Sequence, residues 1–295
     1  MVKRMADELP VISGARSTII ANLIVSMIAA GLLGIIDALS GVRFYAEPIS
    51  ESVFGPLAGF ANAILFVMLA IIGASMVVLL LKYGKENLLK YILMIAFGFI
   101  GLVIILYFGY MFLLVFQFVD PILAGFIIFA FIMTAGLSLI MVDSENRLKN
   151  GGLLIFGGAV GAFLGVVLPV WTSVLLLIGL AIYDYFSVKR GPIRKIVELT
   201  EDDPDKLTAL AVSTSEWDIG LGDVAFYGMI TVLAIVNYGM IAALLAVIGV
   251  IAGFLITLKM LEKRGVMAGL PIPIGLGLLG LTIGIVITLV FPFIP

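Results

Sequence analysis

The chain has 295 residues, 63% hydrophobic and only 12% charged, with a mean hydropathy of +1.27. A soluble domain carries about 25% charged residues, so a soluble globular fold is excluded, and a net charge of −2 gives no footing for nucleic acid. With neither cysteine nor histidine, the chain cannot form a disulfide, a thiol nucleophile, a Ser-His pair or an HExxH zinc site. Proton chemistry falls to carboxylates, Lys and Tyr.

A bilayer core takes about 20 helical residues. Nine apolar runs have suitable length: Thr18–Ile36, Pro56–Leu81, Leu88–Phe116, Ile122–Val142, Gly151–Pro169, Trp171–Phe186, Ile219–Val236, Met240–Leu258 and Gly269–Phe293. They predict an all-α membrane protein of nine transmembrane helices, forming a single polytopic domain over residues 1–295. Helices 1–6 fall within 1–187 and helices 7–9 within 219–295, with a cytoplasmic loop over 188–218. The first run is read as a retained helix, because Asp37-Ala38-Leu39-Ser40 is a poor signal cleavage site. Asp37 and Asp120 sit at span ends and read as interfacial. The connection from Asp37 to Gly55 mixes Phe44, Tyr45 and Phe54 with charges, as a loop at the interface would.

Of the 17 Lys and Arg residues, only Arg43 falls on the side of the odd-numbered connections and the C-terminus. The positive-inside rule then puts the N-terminus in the cytoplasm and the C-terminus outside. The sixth connection begins basic, at Lys189 to Lys195, and turns acidic from Glu198 to Asp205. Its end, Ser213-Thr214-Ser215-Glu216, reads as a helix N-terminus capped by Ser213 or Ser215. Gly275-Leu276-Gly277-Leu278-Leu279-Gly280 matches GxGxxG in letters only and reads as close helix packing through small residues.

Two carboxylates break the apolar pattern. Asp184 follows Tyr183 in the sixth span, and Asp223 closes Gly220-Leu221-Gly222-Asp223 in the seventh. An acid at the bilayer centre costs about 2.5–3.5 kcal/mol even on the lenient insertion scale. Asp184 lies five residues before Lys189 and Asp223 five residues after Asp218. At 1.5 Å per residue each is roughly 7–8 Å inside its helix end, so antiparallel neighbours bring the two to similar depth. Two close carboxylates share a proton and titrate as a unit. They can activate a water against a carbonyl without metal or cofactor. Gly220 and Gly222 would let a substrate strand approach the backbone beside Asp223.

Tyr183-Asp184, Gly220-Leu221-Gly222-Asp223 and the nine spans resemble the presenilin and signal peptide peptidase group of GxGD intramembrane aspartyl proteases. The family's third motif, Pro-Ala-Leu, is replaced here by Ala268-Gly269-Leu270-Pro271, which keeps the leucine and the following proline. The cytoplasmic N-terminus looks like presenilin. The short sixth connection looks like a compact archaeal homologue, which would sit in the cell membrane as a multi-pass protein. The resemblance implies Asp184 and Asp223 as catalytic. It also implies that Tyr183, Gly220, Leu221, Gly222, Ala268, Gly269, Leu270 and Pro271 position transmembrane peptide or protein substrates from the bilayer. It requires no metal and no cofactor, and the sequence is silent on oligomeric state and accessory subunits.

Three other readings compete. A proton- or cation-coupled transporter or channel could use the same paired acids, but no inverted repeat is visible. A prepilin-type peptidase also carries GxGD, with fewer spans. A non-catalytic scaffold would leave two buried acids unexplained.

Overall fold

A computed structural model describes residues 2–4, 12–117, 119–143, 146–199, 211–213, 217–264 and 266–290. Its helices are α1 (Ile12–Ser40), α2 (Glu51–Phe54), α3 (Pro56–Lys82), α4 (Glu86–Val115), α5 (Val119–Asp143), α6 (Asn146–Val167), α7 (Val170–Arg190), α8 (Pro192–Leu199), α9 (Leu221–Tyr238), α10 (Met240–Arg264) and α11 (Pro271–Val290). Among the described residues, eight helices are long and apolar enough to cross a membrane, and α5 carries a shorter apolar stretch, Gly125–Ser138. The protein is a multi-pass integral membrane protein.

The helix α9 is the central post. Twelve of its residues are buried, from Asp223 to Val236, against α1, α6 and α10. Small residues make this packing possible, as they must where lipid gives no hydrophobic drive between helices. A Cβ on Gly161 of α6 would lie 2.0 Å from the Ala225 carbonyl oxygen of α9. The α10–α11 pair closes in the same way: Cβ atoms on Gly280 and Gly249 would lie 2.2 Å from the carbonyls of Leu245 and Leu276. The GxGxxG letters thus hold two packing glycines, Gly277 and Gly280, while Gly275 meets nothing within 4 Å. At the periphery, α3 and α5 expose Leu57, Phe60, Ile72, Ile128 and Ile132, side chains suited to lipid tails.

The chain also forms a small sheet that the apolar pattern did not anticipate. Its strands are β1 (Val2–Arg4), β2 (Ala211–Ser213), β3 (Trp217–Gly220) and β4 (Val266–Met267), in the order β2-β3-β1-β4. All three pairings are antiparallel. Two expectations are corrected. Ser213 ends a strand rather than capping a helix, because Ala211 to Ser213 pairs with Gly220 to Asp218; residues 214–216 lie outside those described. The seventh helix starts at Leu221 rather than Ile219, because Ile219 and Gly220 are engaged in β3. The sixth connection also contains α8, and α7 runs on to Arg190.

Asp37 is corrected as well. It lies in the last turn of α1 but is only 2% exposed. It accepts a hydrogen bond from the Tyr107 hydroxyl of α4 at 2.7 Å. The side chain of Asp120 lies outside those described. Arg43 donates from Nη1 to Asn237 Oδ1 at 3.0 Å and from Nη2 to the Val236 carbonyl, tying the loop after α1 to the end of α9. In that same connection Phe44, Tyr45 and Phe54 are all more than half exposed.

Candidate active site

The strand β3 delivers the chain to α9. Gly220 is extended, at φ −61° and ψ 137°, and the helix begins at the next residue. Asp223 is therefore in the first turn of α9, over the positive end of the helix macrodipole. It is not a full turn and a half inside, as the apolar run implied. Asp184 sits six residues before the end of α7, whose last turn carries Lys189 and Arg190. Both aspartates are 4% exposed.

What joins them is the segment between β4 and α11. The Leu270 backbone N–H donates to Asp184 Oδ2 at 2.9 Å. At the preceding residue, a Cβ on Gly269 would stand 2.1 Å from Asp223 Oδ2. The two carboxylates thus close on a single dipeptide, Gly269-Leu270, one from α7 and one from α9. With the Asp223 carboxylate in this position, a side chain at 269 would force it to move. Pro271 then opens α11 at a position where its missing N–H costs nothing, and the first bond of the helix runs from Ile274 N–H to the Leu270 carbonyl at 2.9 Å.

Tyr227 was not singled out from the sequence. Its hydroxyl donates to the Gly269 carbonyl at 2.7 Å, and the side chain is fully buried. It follows Asp223 by four residues, so the two share one face of α9. That spacing was the available signal.

The other residues fall into two groups. Ala268 and Leu270 are buried beside the dyad, at 6% and 5% exposure. Leu221 instead packs toward α6, where a Cβ on Gly157 would meet its Cδ1 at 3.0 Å. Gly222 is exposed, and a Cβ there would meet only Phe226 Cε2, at 3.8 Å. Tyr183 is half-buried against the core, and its hydroxyl has no hydrogen-bond partner among the described residues. Between α7 and α11, an open apolar groove of about 450 Å³ is lined by Ile178, Ile182, Phe186, Pro271, Gly275 and Leu278, among others. It passes within one helical turn of Asp184.

A family model described as Presenilin matches residues 46–219. That span takes in Asp184 and stops four residues short of Asp223. Over 121 residues, 38% of the chain, the sequence is 36% identical to presenilin-B of Dictyostelium discoideum. Over 174 residues, 56% of the chain, it is 32% identical to a presenilin-like protein of Arabidopsis thaliana. The matched stretches cover 25% and 37% of those relatives. Two crystal forms of a presenilin family intramembrane aspartate protease share the fold. The C222 form matches at TM-score 0.60 and 20% identity, covering 90% of this chain and 99% of that one. The P2 form matches at 0.57 and 21%, covering 96% and 100%. This chain belongs to the presenilin family.

Proposed function

We propose that the chain is an intramembrane aspartyl endopeptidase that hydrolyses peptide bonds within transmembrane segments, with Asp184 and Asp223 as the catalytic pair. The observation that carries this is the convergence of two buried carboxylates, from different helices, on Gly269-Leu270. Family membership supports the same reading and does not favour transport.

One carboxylate of the pair holds a proton, and the other takes a proton from a water between them. The water oxygen attacks the scissile carbonyl carbon, and the protonated carboxyl hydrogen-bonds the developing oxyanion. As the intermediate collapses, the amide nitrogen leaves with a proton from the dyad, giving one new carboxyl and one new amine. The Leu270 N–H fixes Asp184 by one oxygen and leaves the other for the water. Tyr227 holds the Gly269 carbonyl and so keeps this dipeptide against both acids. Ala268 and Pro271 flank it, and Gly220 ends the strand that leads into Asp223.

The substrate must present backbone to the dyad, so its helix has to unwind there. Unpaired backbone at membrane depth is tolerated only inside protein or against water. The groove between α7 and α11 is apolar enough to receive an intact helix beside that point. The short sixth connection fits placement in the cell membrane of an archaeon.

The test follows cleavage of a labelled transmembrane peptide by the purified protein in liposomes. Asp184→Asn and Asp223→Asn, each still folded, should lose cleavage by at least about 10²-fold. Near wild-type cleavage by either variant would sink the paired mechanism.

A further inference from the structure

We infer that β1, Val2–Arg4, is an internal competitor for the strand slot beside the dyad, and that it must leave before an extended substrate segment can pair there. The inference rests on the protease reading of that site.

The sheet order places β1 between β3 and β4. These are the two segments that lead directly into the site. β3 ends at Gly220, three residues before Asp223, and β4 ends at Met267, two residues before Gly269. Val2 stands opposite Ile219 on one side and Met267 on the other. Lys3 stands opposite Asp218 and Val266. Since β1 runs antiparallel to both neighbours, its Val2 end is the one nearest the dyad.

Neighbouring strands lie about 4.8 Å apart, so β3 and β4 are roughly 10 Å apart across β1. Without β1, both would turn unpaired N–H and C=O groups toward a gap one strand wide. Such paired edges accept an extended peptide through main-chain hydrogen bonds, largely regardless of its sequence. A substrate unwound for hydrolysis is an extended peptide, and its backbone groups need partners at this depth. The strand that fills this gap and the strand that a substrate would offer cannot be there together.

Two features make β1 a displaceable occupant. It is three residues long, at the short limit for a strand. It is joined to α1 through residues 5–11, a length of chain able to reach up to about 25 Å. β1 can therefore leave the slot and remain tethered close by. If it fills the slot about 90% of the time, the apparent KM for substrate rises about tenfold.

The chain has no cysteine, so an engineered pair is the only thiol chemistry present. Lys3→Cys with Val266→Cys puts two cysteines on directly opposed strand positions, within disulfide reach. The full-length double variant would be oxidised in liposomes and assayed on a fluorophore-labelled transmembrane peptide, with Lys3→Cys alone as control. Oxidation should abolish cleavage in the double variant only, and reductant should restore it. Deleting residues 2–4 should lower the apparent KM about tenfold with little change in kcat. Cleavage by the oxidised double variant at the wild-type rate would overturn the inference, as would an unchanged KM in a deletion variant that still folds. A readout without cleavage separates this from the protease reading: maleimide labelling of Lys3→Cys should speed up when the peptide is added. Faster labelling with no cleavage would sink the protease reading and leave the strand competition standing. Cleavage with no change in labelling would do the reverse.

Discussion

The bundle buries carboxylates at two ends, and the two ends treat them differently. At one end Asp37 is the one buried acid among the described side chains, 2% exposed, and accepts a hydrogen bond from the Tyr107 hydroxyl. Its surroundings join helix to helix, and Arg43 nearby secures the end of α9. At the other end Asp184 and Asp223 both close on a backbone segment that belongs to neither of their helices. There the strands β3 and β4 lead in, and an apolar groove lies between α7 and α11. A buried acid becomes a candidate for chemistry when it has a second acid beside it and an approach for another molecule. Burial alone does not separate the two cases.

The comparison breaks most sharply at Gly269. Gly269→Ala would place a Cβ against the Asp223 carboxylate, and nothing flexible can give way except the acid itself. Cleavage should fall by about 10²-fold or more with the helical circular dichroism unchanged. A fully active alanine variant would mean that the dyad and this dipeptide part company during turnover. Tyr227→Phe comes next. Losing the hydroxyl frees the Gly269 carbonyl but leaves both acids, so kcat should drop about tenfold while stability changes by about 1 kcal/mol.

At the other end the effects should move from rate to stability. Tyr107→Phe leaves Asp37 buried without its donor, at a cost of about 1–3 kcal/mol, read as a lower Tm in detergent. Cleavage per folded molecule should stay within about twofold. Asp37→Asn keeps an acceptor for Tyr107 and should shift Tm least of all. A large loss of cleavage in Asp37→Asn would erase the distinction between the two ends.

How legible these ends were in the sequence follows from where their partners lie. The two aspartates stood out because each interrupts an apolar run and both flank one connection. The spans were legible for the same reason: long apolar runs have few alternatives in a bilayer. Asp37 looked interfacial because its donor is seventy residues away, outside any local pattern. The strands were missed for a related reason. Trp217 to Gly220 borders an apolar run, and Ile219 looks like its first residue; pairing with Val2 to Arg4 on one side and with Ala211 to Ser213 on the other makes it a strand. The role of Gly269 was hidden too, since a glycine in place of the family's alanine reads as a departure until the Asp223 carboxylate is seen in the space.

The close contact of Gly161 with the Ala225 carbonyl has a mechanical meaning. It lies two residues from Asp223 and leaves no clearance for α9 to slide or turn against α6. The helix that carries Asp184 leans on α3 and α11 instead, and α3 is the least buried of the spans. The pair of acids is therefore built like a vice, with one jaw bolted to the frame and the other mounted on the outer wall. If the pair acts on a substrate as proposed, the Asp184 jaw is the one expected to yield. Amide exchange should accordingly be faster along α7 than along α9, and substrate should slow it in α7 first.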